Sequence, residues 1–278
     1  MTWKTGQTEA EHTMTPQSAL QSDDAEDGIG GVRLLQPNVT AAPRGVPSFD
    51  HMIASNQYGF YCIPQAYAKR KVPTVLRQGQ VYEPDTLALM RRKSGLGDVI
   101  AGGGFIGDFF PALSEALAAT AVLHSFEPNP LSHEAACHTI GLNRLENVCL
   151  HPVAVGESPG TLPLLVSRGA NNAMAARAKI VADRIEGETI DVPVTTLDNL
   201  IGKDRAVSIL QLDIEGHELP AVLGAKRIIS RNRPMIILEA ARRHRQKFYE
   251  RALNQHFPDI GYRMAGVIER NCIFLPQG

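Results

Sequence analysis

A glycine-rich turn and an acid follow two neighbouring apolar segments of the chain. Residues 98–102 run into Gly102-Gly-Gly-Phe-Ile-Gly107, and residues 121–126 end at Glu127. Glycines at such a turn let backbone N–H groups approach a ligand closely, and the helix that follows presents its positive end there. An acid at the tip of the second strand of a βαβ unit commonly holds a ribose diol. The pattern therefore predicts the site of a nucleoside-containing cofactor.

A second group of acids follows a later apolar segment. Leu210-Gln-Leu-Asp-Ile-Glu-Gly-His-Glu218 closes the strand predicted at 207–213, and Glu239 ends a further apolar run. Carboxylate and imidazole groups within reach of an acceptor can remove its proton. The candidates for this catalytic role are Asp213, Glu215, His217 and Glu239. Structural alternatives remain open, because acids also favour the positive start of a helix and a histidine on a first helical turn is more often exposed than catalytic.

Alternating apolar segments must position these side chains. Strands are predicted at 98–102, 121–126, 147–151, 207–213 and 234–239, and helices at 107–118, 130–142, 217–230 and 242–256. The strands are continuous apolar runs, as expected for a parallel sheet that is covered on both faces. Two short segments, 261–264 and 272–275, predict an antiparallel hairpin at the end of the sheet. Because ligands bind beyond the carboxyl ends of parallel strands, the acids should converge there.

The composition divides the chain into three predicted parts. Residues 1–49 are polar with scattered single hydrophobics, which predicts a flexible N-terminal tail, because such a segment buries too little apolar surface to offset its ordering entropy. Residues 50–96 concentrate the tyrosines and predict a cap on the substrate side. Residues 97–278 carry the alternating pattern and predict the cofactor-binding domain.

Two segments outside the predicted sheet are candidates for the acceptor pocket, since specificity usually lies in such segments. They contribute Tyr58 and Tyr61 from the tyrosine-rich stretch, and Asn171 and Asn172 from a loop rich in glycine, asparagine and alanine. Packing of the cap against the sheet is an equal alternative for the two tyrosines.

Charge and composition argue against several classes of protein. A formal net charge of -1, with acids and bases mixed throughout, argues against nucleic-acid binding by charge. The four cysteines form no CxxC pair, no signal peptide is evident, and no apolar run is long enough to cross a bilayer. We therefore expect a cytoplasmic protein without membrane association. No metal-specific spacing is present, so no metal is predicted; the oligomeric state is left open, with a homodimer as one alternative.

Two cofactors fit the glycine turn. Read literally, Gly102–Gly107 satisfies the GxGxxG pattern of NAD enzymes, and Glu127 lies at the expected distance. Three features count against NAD: the chain has a single βαβ series, its sheet is predicted to finish with an antiparallel hairpin, and the acids around Asp213 have no obvious use in hydride transfer. An NAD-dependent oxidoreductase stays the alternative.

Seven sequence pieces occur together in an order that is typical of one enzyme family. They are the glycine turn, Phe126-Glu-Pro-Asn-Pro130, Asn143-Arg-Leu-Glu-Asn147, Val153-Ala-Val-Gly156, Val192-Pro-Val-Thr-Thr-Leu-Asp198, Leu212-Asp-Ile-Glu-Gly216 and Arg233-Pro-Met-Ile-Ile-Leu-Glu239. From about Gly97 to Leu275 the chain thus resembles the FkbM-type family of S-adenosylmethionine-dependent methyltransferases. The resemblance implies an α/β fold, the seven-strand class I (Rossmann-like) sheet with an antiparallel last strand, here with a small N-terminal extension.

The resemblance also implies S-adenosylmethionine as the cofactor and assigns its contacts. These are Glu127 at the ribose hydroxyls, Asn129 at a neighbouring cofactor contact, Gly103, Gly104 and Gly107 along the methionine and ribose portions, and His151 and Val153 at the adenine. Asp213, near the methyl group, is assigned to the cofactor, the acceptor or both. One departure matters: the family usually carries an aspartate at the position of Ala101, where it orients the methionine end. Either another acid, Asp108 or Glu83, assumes this role, or the affinity for the cofactor is lowered.

The implied activity is methyl transfer with assistance from a carboxylate. Transfer to a hydroxyl oxygen of a small molecule (a sugar, a polyketide or another natural product) is expected from the family alone, and transfer to nitrogen would need the same scaffold. A cofactor-binding protein that has lost catalysis is a further alternative.

Overall fold

The structure is a computed structural model centred on a seven-stranded sheet. It describes residues 40, 45–167, 179–180 and 188–277 of the chain, all of which belong to one unit, Gln36–Gly278. Most of the predicted tail (1–49) and the predicted substrate contacts Asn171 and Asn172 lie outside the described residues.

Strands and helices alternate along most of the described chain. The strands are β1 His51–Asn56, β2 Gly59–Pro64, β3 Asp98–Gly102, β4 Leu123–Phe126, β5 Val148–His151, β6 Ala154–Val155, β7 Gly160–Ser167, β8 Lys179–Ile180, β9 Glu188–Thr195, β10 Val207–Leu212, β11 Met235–Glu239, β12 Arg263–Ile268 and β13 Asn271–Leu275. The helices are α1 Lys71–Arg77, α2 Pro84–Lys93, α3 Phe110–Ala116, α4 Pro130–Asn143, α5 Leu197–Leu200, α6 Glu218–Leu223, α7 Lys226–Asn232 and α8 Arg243–His256. A 3-10 helix, Gln65–Tyr67, precedes α1.

The central sheet has the strand order β12-β13-β11-β10-β3-β4-β5. Strands β11, β10, β3, β4 and β5 pair in parallel, and β13 runs antiparallel between β11 and β12. Strand β3 is buried along its whole length because helices and loops cover both faces of the sheet. The predicted fold class, a seven-strand class I methyltransferase sheet with an antiparallel last strand, is confirmed. A smaller sheet has the order β6-β9-β7-β8.

The register of the central strands aligns their carboxyl ends. Gly102 of β3 lies opposite Phe126 of β4 and Leu212 of β10, and Leu212 in turn lies opposite Leu238 of β11. The residues that follow these positions, from the glycine turn to Glu239, therefore start from one edge of the sheet. This register brings together acids that are more than a hundred residues apart in sequence.

Two predicted helices differ from the observed ones because glycines interrupt them. The helix predicted at 217–230 is split into α6 and α7 at Gly224, where a Cβ atom would lie 2.0 Å from the carbonyl oxygen of Gly156. Helix α3 begins at Phe110 and not at residue 107, since Gly107 has a φ of +78° and belongs to the preceding turn. Of the helices described, none has both the length and the apolar composition to span a bilayer.

The β1–β2 hairpin is fastened to α4. The N–H group of Cys62 donates to the Thr139 hydroxyl over 3.1 Å, and the Asn143 side chain binds both the N–H and the C=O group of Phe60. Beside the sheet, the N–H group of Thr40 donates to the carbonyl oxygen of Val148 on the edge strand β5. These contacts fix the N-terminal segment to the central sheet and to α4. The chain that leaves β2 then contributes residues at the carboxyl edge of the parallel strands.

A buried ion network holds the opposite edge of the sheet. The Asp98 carboxylate accepts hydrogen bonds from Arg205, from the Val122 N–H group at 2.8 Å and from His124 Nε2 at 3.0 Å. Burial alone would raise the pKa of Asp98, but the hydrogen bonds from His124 and Arg205 outweigh it and hold this pKa below its usual value. The network joins β3 to β4 and to the loop before β10.

Replacement of Asp98 by asparagine should lower the free energy of unfolding by about 1–3 kcal/mol, because the charged hydrogen bonds to Arg205 are lost. Urea denaturation at neutral pH measures the change. The control Asp204→Asn removes an exposed carboxylate that lies 4.0 Å from Arg231 and should leave stability unchanged. Since the lowered pKa stabilises the fold only while Asp98 is ionised, the difference between wild type and variant should shrink in acid; a constant difference at every pH would contradict this account.

Candidate active site

A cavity of about 730 Å³ lies at the carboxyl edge of the parallel strands. Its floor comes from the strand ends and includes Gly103, Glu127 and Asp213, and a further wall comes from residues 65, 66 and 68–72 and from Tyr82. An apolar end is formed by Phe126, Pro128, Ala154, Val155 and Leu164. The volume falls within the range of roughly 300–1,000 Å³ that small-molecule and cofactor sites usually have.

The glycine turn lets two strand tips meet under the cavity. Gly103 has a φ of +83°, and a Cβ atom on it would lie only 2.2 Å from the carbonyl oxygen of Asp213. Gly103 is exposed to the cavity, whereas Gly104 and Gly107 lie behind it and permit close packing against Ser125 and Phe110. The predicted glycine contacts thus separate into one residue at the cavity and two that shape the turn.

Glu127 is a buried acid with one backbone donor on each carboxylate oxygen. Phe105 N–H donates to Oε2 over 2.9 Å, and Asn129 N–H donates to Oε1 over 2.8 Å. Burial raises the pKa of Glu127 to about 7, although these two hydrogen bonds and the charge of Arg70 oppose the rise. The carboxyl group faces the cavity and retains lone pairs for further donors.

Asp213 and Glu239 form a pair of interacting carboxyl groups at neighbouring strand ends. Burial raises the pKa of Asp213 well above its usual value, and the charges of Glu239 and Glu215 add to the rise. Glu239 also binds Arg270, whose Nη2 atom lies 2.7 Å from Oε1. Asp213 lines the cavity, whereas Glu239 lies behind it.

Glu218 fixes the loop that follows β10. Its fully buried carboxylate accepts hydrogen bonds from the N–H groups of Ile214 and Gly216, from Arg245 and from the Tyr249 hydroxyl. Sequence analysis gave such a local role as the alternative for acids in this stretch. The same loop places the predicted candidates Glu215 and His217 on the cavity wall. Burial lowers the pKa of His217, which keeps its imidazole neutral near pH 7.

Asp108 and Glu83, the candidates to replace the missing acid at Ala101, lie close to each other. Asp108 lines the cavity directly after the glycine turn, and burial raises its pKa to about 7, with a further contribution from the charge of Glu83. Glu83 lies behind Tyr82 and accepts a hydrogen bond of 2.7 Å from Asn271 Nδ2. Ala101 itself is buried within β3 and does not line the cavity.

Besides Glu83, Gly104 and Gly107, three further predicted cofactor contacts lie off the cavity. Asn129 uses its side-chain oxygen to cap α4 through the N–H groups of Leu131 and Ser132. His151 stacks on His124 with 6.4 Å between ring centroids, and burial lowers its pKa to about 4. Val153 packs against the main core. Each of them supports a neighbouring element, and Ala154 and Val155 are the residues of that segment that reach the cavity.

The two predicted substrate tyrosines pack within the N-terminal cap. Tyr61 is fully buried and donates a hydrogen bond of 3.0 Å to Asn56. Tyr58 lies under the Arg91 guanidinium, 4.8 Å from the ring centroid. Neither tyrosine lines the cavity, so the structure gives both the packing role that sequence analysis held as the alternative.

Sequence analysis missed the residues that the N-terminal segment brings to the cavity. They include Lys69, Arg70 and Lys71 before and at the start of α1, and Tyr82 just before α2. Three consecutive cations in a chain with a formal net charge of only -1 were the available signal. Nothing in the local sequence says that this run faces a cavity, because the contact joins parts of the chain that are distant in sequence.

Comparison with known proteins identifies the family. Residues 98–264 match the methyltransferase FkbM domain. The chain belongs to the FkbM methyltransferase family. Its cofactor is S-adenosylmethionine, as the sequence motifs predicted, and this decides against the NAD-dependent alternative. No curated protein sequence matches the chain significantly.

Solved structures similar to this FkbM-family methyltransferase are distant in sequence. The methyltransferase FkbM of Methylobacillus flagellatus KT is 20% identical with a TM-score of 0.44, covering 65% of this chain and 43% of its own. Wild-type Trm5b of Pyrococcus abyssi is 8% identical with a TM-score of 0.44, covering 82% and 55%. TYW2 of M. jannaschii, solved in complex with AdoMet, is 11% identical with a TM-score of 0.47, covering 84% and 89%. The chain therefore spans only about half of the length of the first two proteins.

The cavity of this methyltransferase fits its cofactor chemically. A buried carboxyl group at the tip of β4 can accept hydrogen bonds from a ribose diol, an exposed glycine backbone forms the floor, and an apolar wall suits a purine. Among the residues that the structure describes, no three histidine, cysteine or acidic side chains are arranged to hold a metal ion.

Replacement of Gly103 by alanine should destabilise the protein by at least about 1–2 kcal/mol, since a side chain at positive φ is strained and its Cβ atom would collide with the Asp213 carbonyl group. Thermal melting and titration with S-adenosylhomocysteine measure stability and binding. The matched control is Gly266→Ala, where a Cβ atom would meet nothing within 4 Å. Equal effects of the two substitutions would show that the close approach is not needed.

Proposed function

We propose that this chain transfers the methyl group of S-adenosylmethionine to a hydroxyl oxygen of a small molecule, with the Asp213–Glu239 carboxyl pair as the proton acceptor. The observation that carries the proposal is the position of Asp213, a buried acid that lines the cavity beside the second acid Glu239. Bound cofactor supplies an electrophilic methyl group. The protein must then hold the acceptor in line with it and take up the hydroxyl proton.

The proposed cofactor placement follows the strand tips. The ribose hydroxyls would donate to Glu127, the adenine would lie along the apolar end near Ala154 and Val155, and the methionine would pass over Gly103. This placement leaves the methyl group near Asp213. It is supported by the presence of Glu127, Gly103, Asp213, Ala154 and Val155 in the lining of one cavity.

The carboxyl pair suits a base whose strength is adjusted by its surroundings. Glu239 forms a salt bridge with Arg270, whereas Asp213 lines the cavity, so Asp213 is assigned the role of the base. When Asp213 is ionised, its raised pKa makes it a stronger base than an exposed aspartate. Glu215 and His217 lie on the same wall and are the alternative bases.

A small-molecule acceptor is supported by the walls of the cavity. Residues 65, 66 and 68–72, together with Tyr82, line the cavity with the strand tips, and its volume of about 730 Å³ suits a cofactor with a small acceptor. These residues precede the matched family domain, which begins at residue 98. We therefore propose that the segment 50–96 is a cap that helps to select the acceptor.

Asp213→Asn should lower kcat by about 10²-fold or more while the protein stays folded and binds S-adenosylhomocysteine, because the proton acceptor is lost. Transfer of labelled methyl groups to panels of alcohols and amines measures the activity, with Asp204→Asn as the control for charge. Near-normal turnover by the variant would remove Asp213 from the mechanism. Methylation of amines alone would replace oxygen by nitrogen as the acceptor, and cofactor binding without any transfer would favour a protein that has lost catalysis.

The kcat/KM of the wild type should rise with pH through the apparent pKa of the carboxyl pair, since only the deprotonated pair accepts the acceptor's proton. A pH series of initial rates with the best acceptor measures this. The rise should disappear in the residual activity of Asp213→Asn. A wild-type profile that falls with increasing pH would contradict base catalysis by this pair.

The affinity for S-adenosylhomocysteine should increase as the pH rises through about 7, the pKa of Glu127, because ribose hydroxyls bind the ionised carboxylate better than the neutral acid. Calorimetric titration on either side of this pH measures the effect. Glu127→Gln should bind about tenfold more weakly at high pH and lose much of the pH dependence. Unchanged affinity in this variant would separate Glu127 from the ribose.

A further inference from the structure

The amino-acid end of S-adenosylmethionine carries both an ammonium and a carboxylate group, so its site needs an acid and a base. The acid usual in the family is replaced here by Ala101, which is buried away from the cavity. At the proposed methionine end of the cavity, the structure instead brings Lys71 and Asp108 next to Tyr82.

Lys71 has donors that no carboxylate of the described residues engages in a salt bridge. It begins α1, and its Nζ atom lies 5.0 Å from the centroid of the Tyr82 ring. The charge of Lys71 acts on Glu83. The Glu83 carboxylate, however, already accepts hydrogen bonds from Asn271 and Tyr82. The three ammonium protons of Lys71 are therefore open to a ligand on the cavity side.

Asp108 lies at the same end of the cavity. Its charge acts on the Tyr82 hydroxyl, and the charge of Glu83 acts on Asp108 in turn. It follows Gly107 directly, so the turn that forms the floor also carries this acid. Arg70, the neighbouring cation, stands at the other end: its guanidinium lies 3.5 Å above the Tyr67 ring and interacts with Glu127.

We infer that Lys71 and Asp108 together bind the amino-acid end of the cofactor, Lys71 through the carboxylate and Asp108 through the ammonium group. This assignment rests on the proposed placement of the ribose at Glu127. It gives the cap a direct role in cofactor binding, because Lys71 lies before the matched family domain. Lys71 and Asp108 also supply the two opposite charges that the amino-acid end of the cofactor needs and that Ala101 lacks.

The test compares two ligands that differ at this end alone. S-adenosylhomocysteine has the amino-acid group, whereas 5′-methylthioadenosine lacks it and keeps the ribose and adenine. Calorimetry should show that the wild type prefers S-adenosylhomocysteine, and that Lys71→Met and Asp108→Asn each reduce this preference about tenfold or more while 5′-methylthioadenosine binds as before. Lys69→Met removes the same charge from the same wall and should keep the preference.

A third ligand separates the two roles. Decarboxylated S-adenosylhomocysteine keeps the amine only, so its affinity should fall in Asp108→Asn and stay unchanged in Lys71→Met. An unchanged preference in both variants, or an equal loss in Lys69→Met, would overturn the inference. A wrong placement of the ribose gives a different result. If the ribose does not lie at Glu127, Glu127→Gln will leave the binding of 5′-methylthioadenosine unchanged. Thermal melting checks that the variants fold. Lys71 is exposed, so its replacement should leave the fold intact.

Discussion

The close approach of the Gly103 backbone to the Asp213 carbonyl oxygen sets the geometry on which the site depends. No side chain fits between the two strand tips, so the turn after β3 lies directly against the turn after β10. The parallel register then carries the alignment to Glu127 on one side and Glu239 on the other. Gly103, Glu127 and Asp213, from three neighbouring strand ends, share one cavity edge because a residue without a side chain allows two of the tips to meet.

Burial gives the acids of this edge different properties according to their partners. Burial raises the pKa of Glu127 and of Asp108 to about 7, and burial together with the charge of Glu239 raises the pKa of Asp213 well above its usual value. Glu218 lies only a few residues from Asp213, yet four donors satisfy it and it serves to fix the loop. A carboxyl group here is functional or structural depending on whether protein donors already use its oxygens.

The N-terminal segment completes the cavity from outside the family domain. The β1–β2 hairpin is anchored to α4, and the chain beyond it carries Lys71 and Tyr82 over the strand tips. Tyr58 and Tyr61 were the contacts predicted from this segment, because aromatic content is visible in a sequence whereas the direction of a side chain is not; neither lines the cavity. Tyr61 is fully buried in packing contacts, whereas the exposed side chains of Lys69 and Lys71 line the cavity.

The sequence by itself determined the sheet, its antiparallel last strand, the glycine turn and the acids at the strand ends, because apolar periodicity and glycine positions are local properties. It also carried the motifs of the family and its cofactor. Only the tertiary structure decided which acids face the cavity, that Asn129 caps a helix, that His151 packs behind the wall and that Asp213 pairs with Glu239. These facts depend on register and on contacts between residues distant in sequence, and the burial that changes a carboxyl group's chemistry arises only when those contacts form.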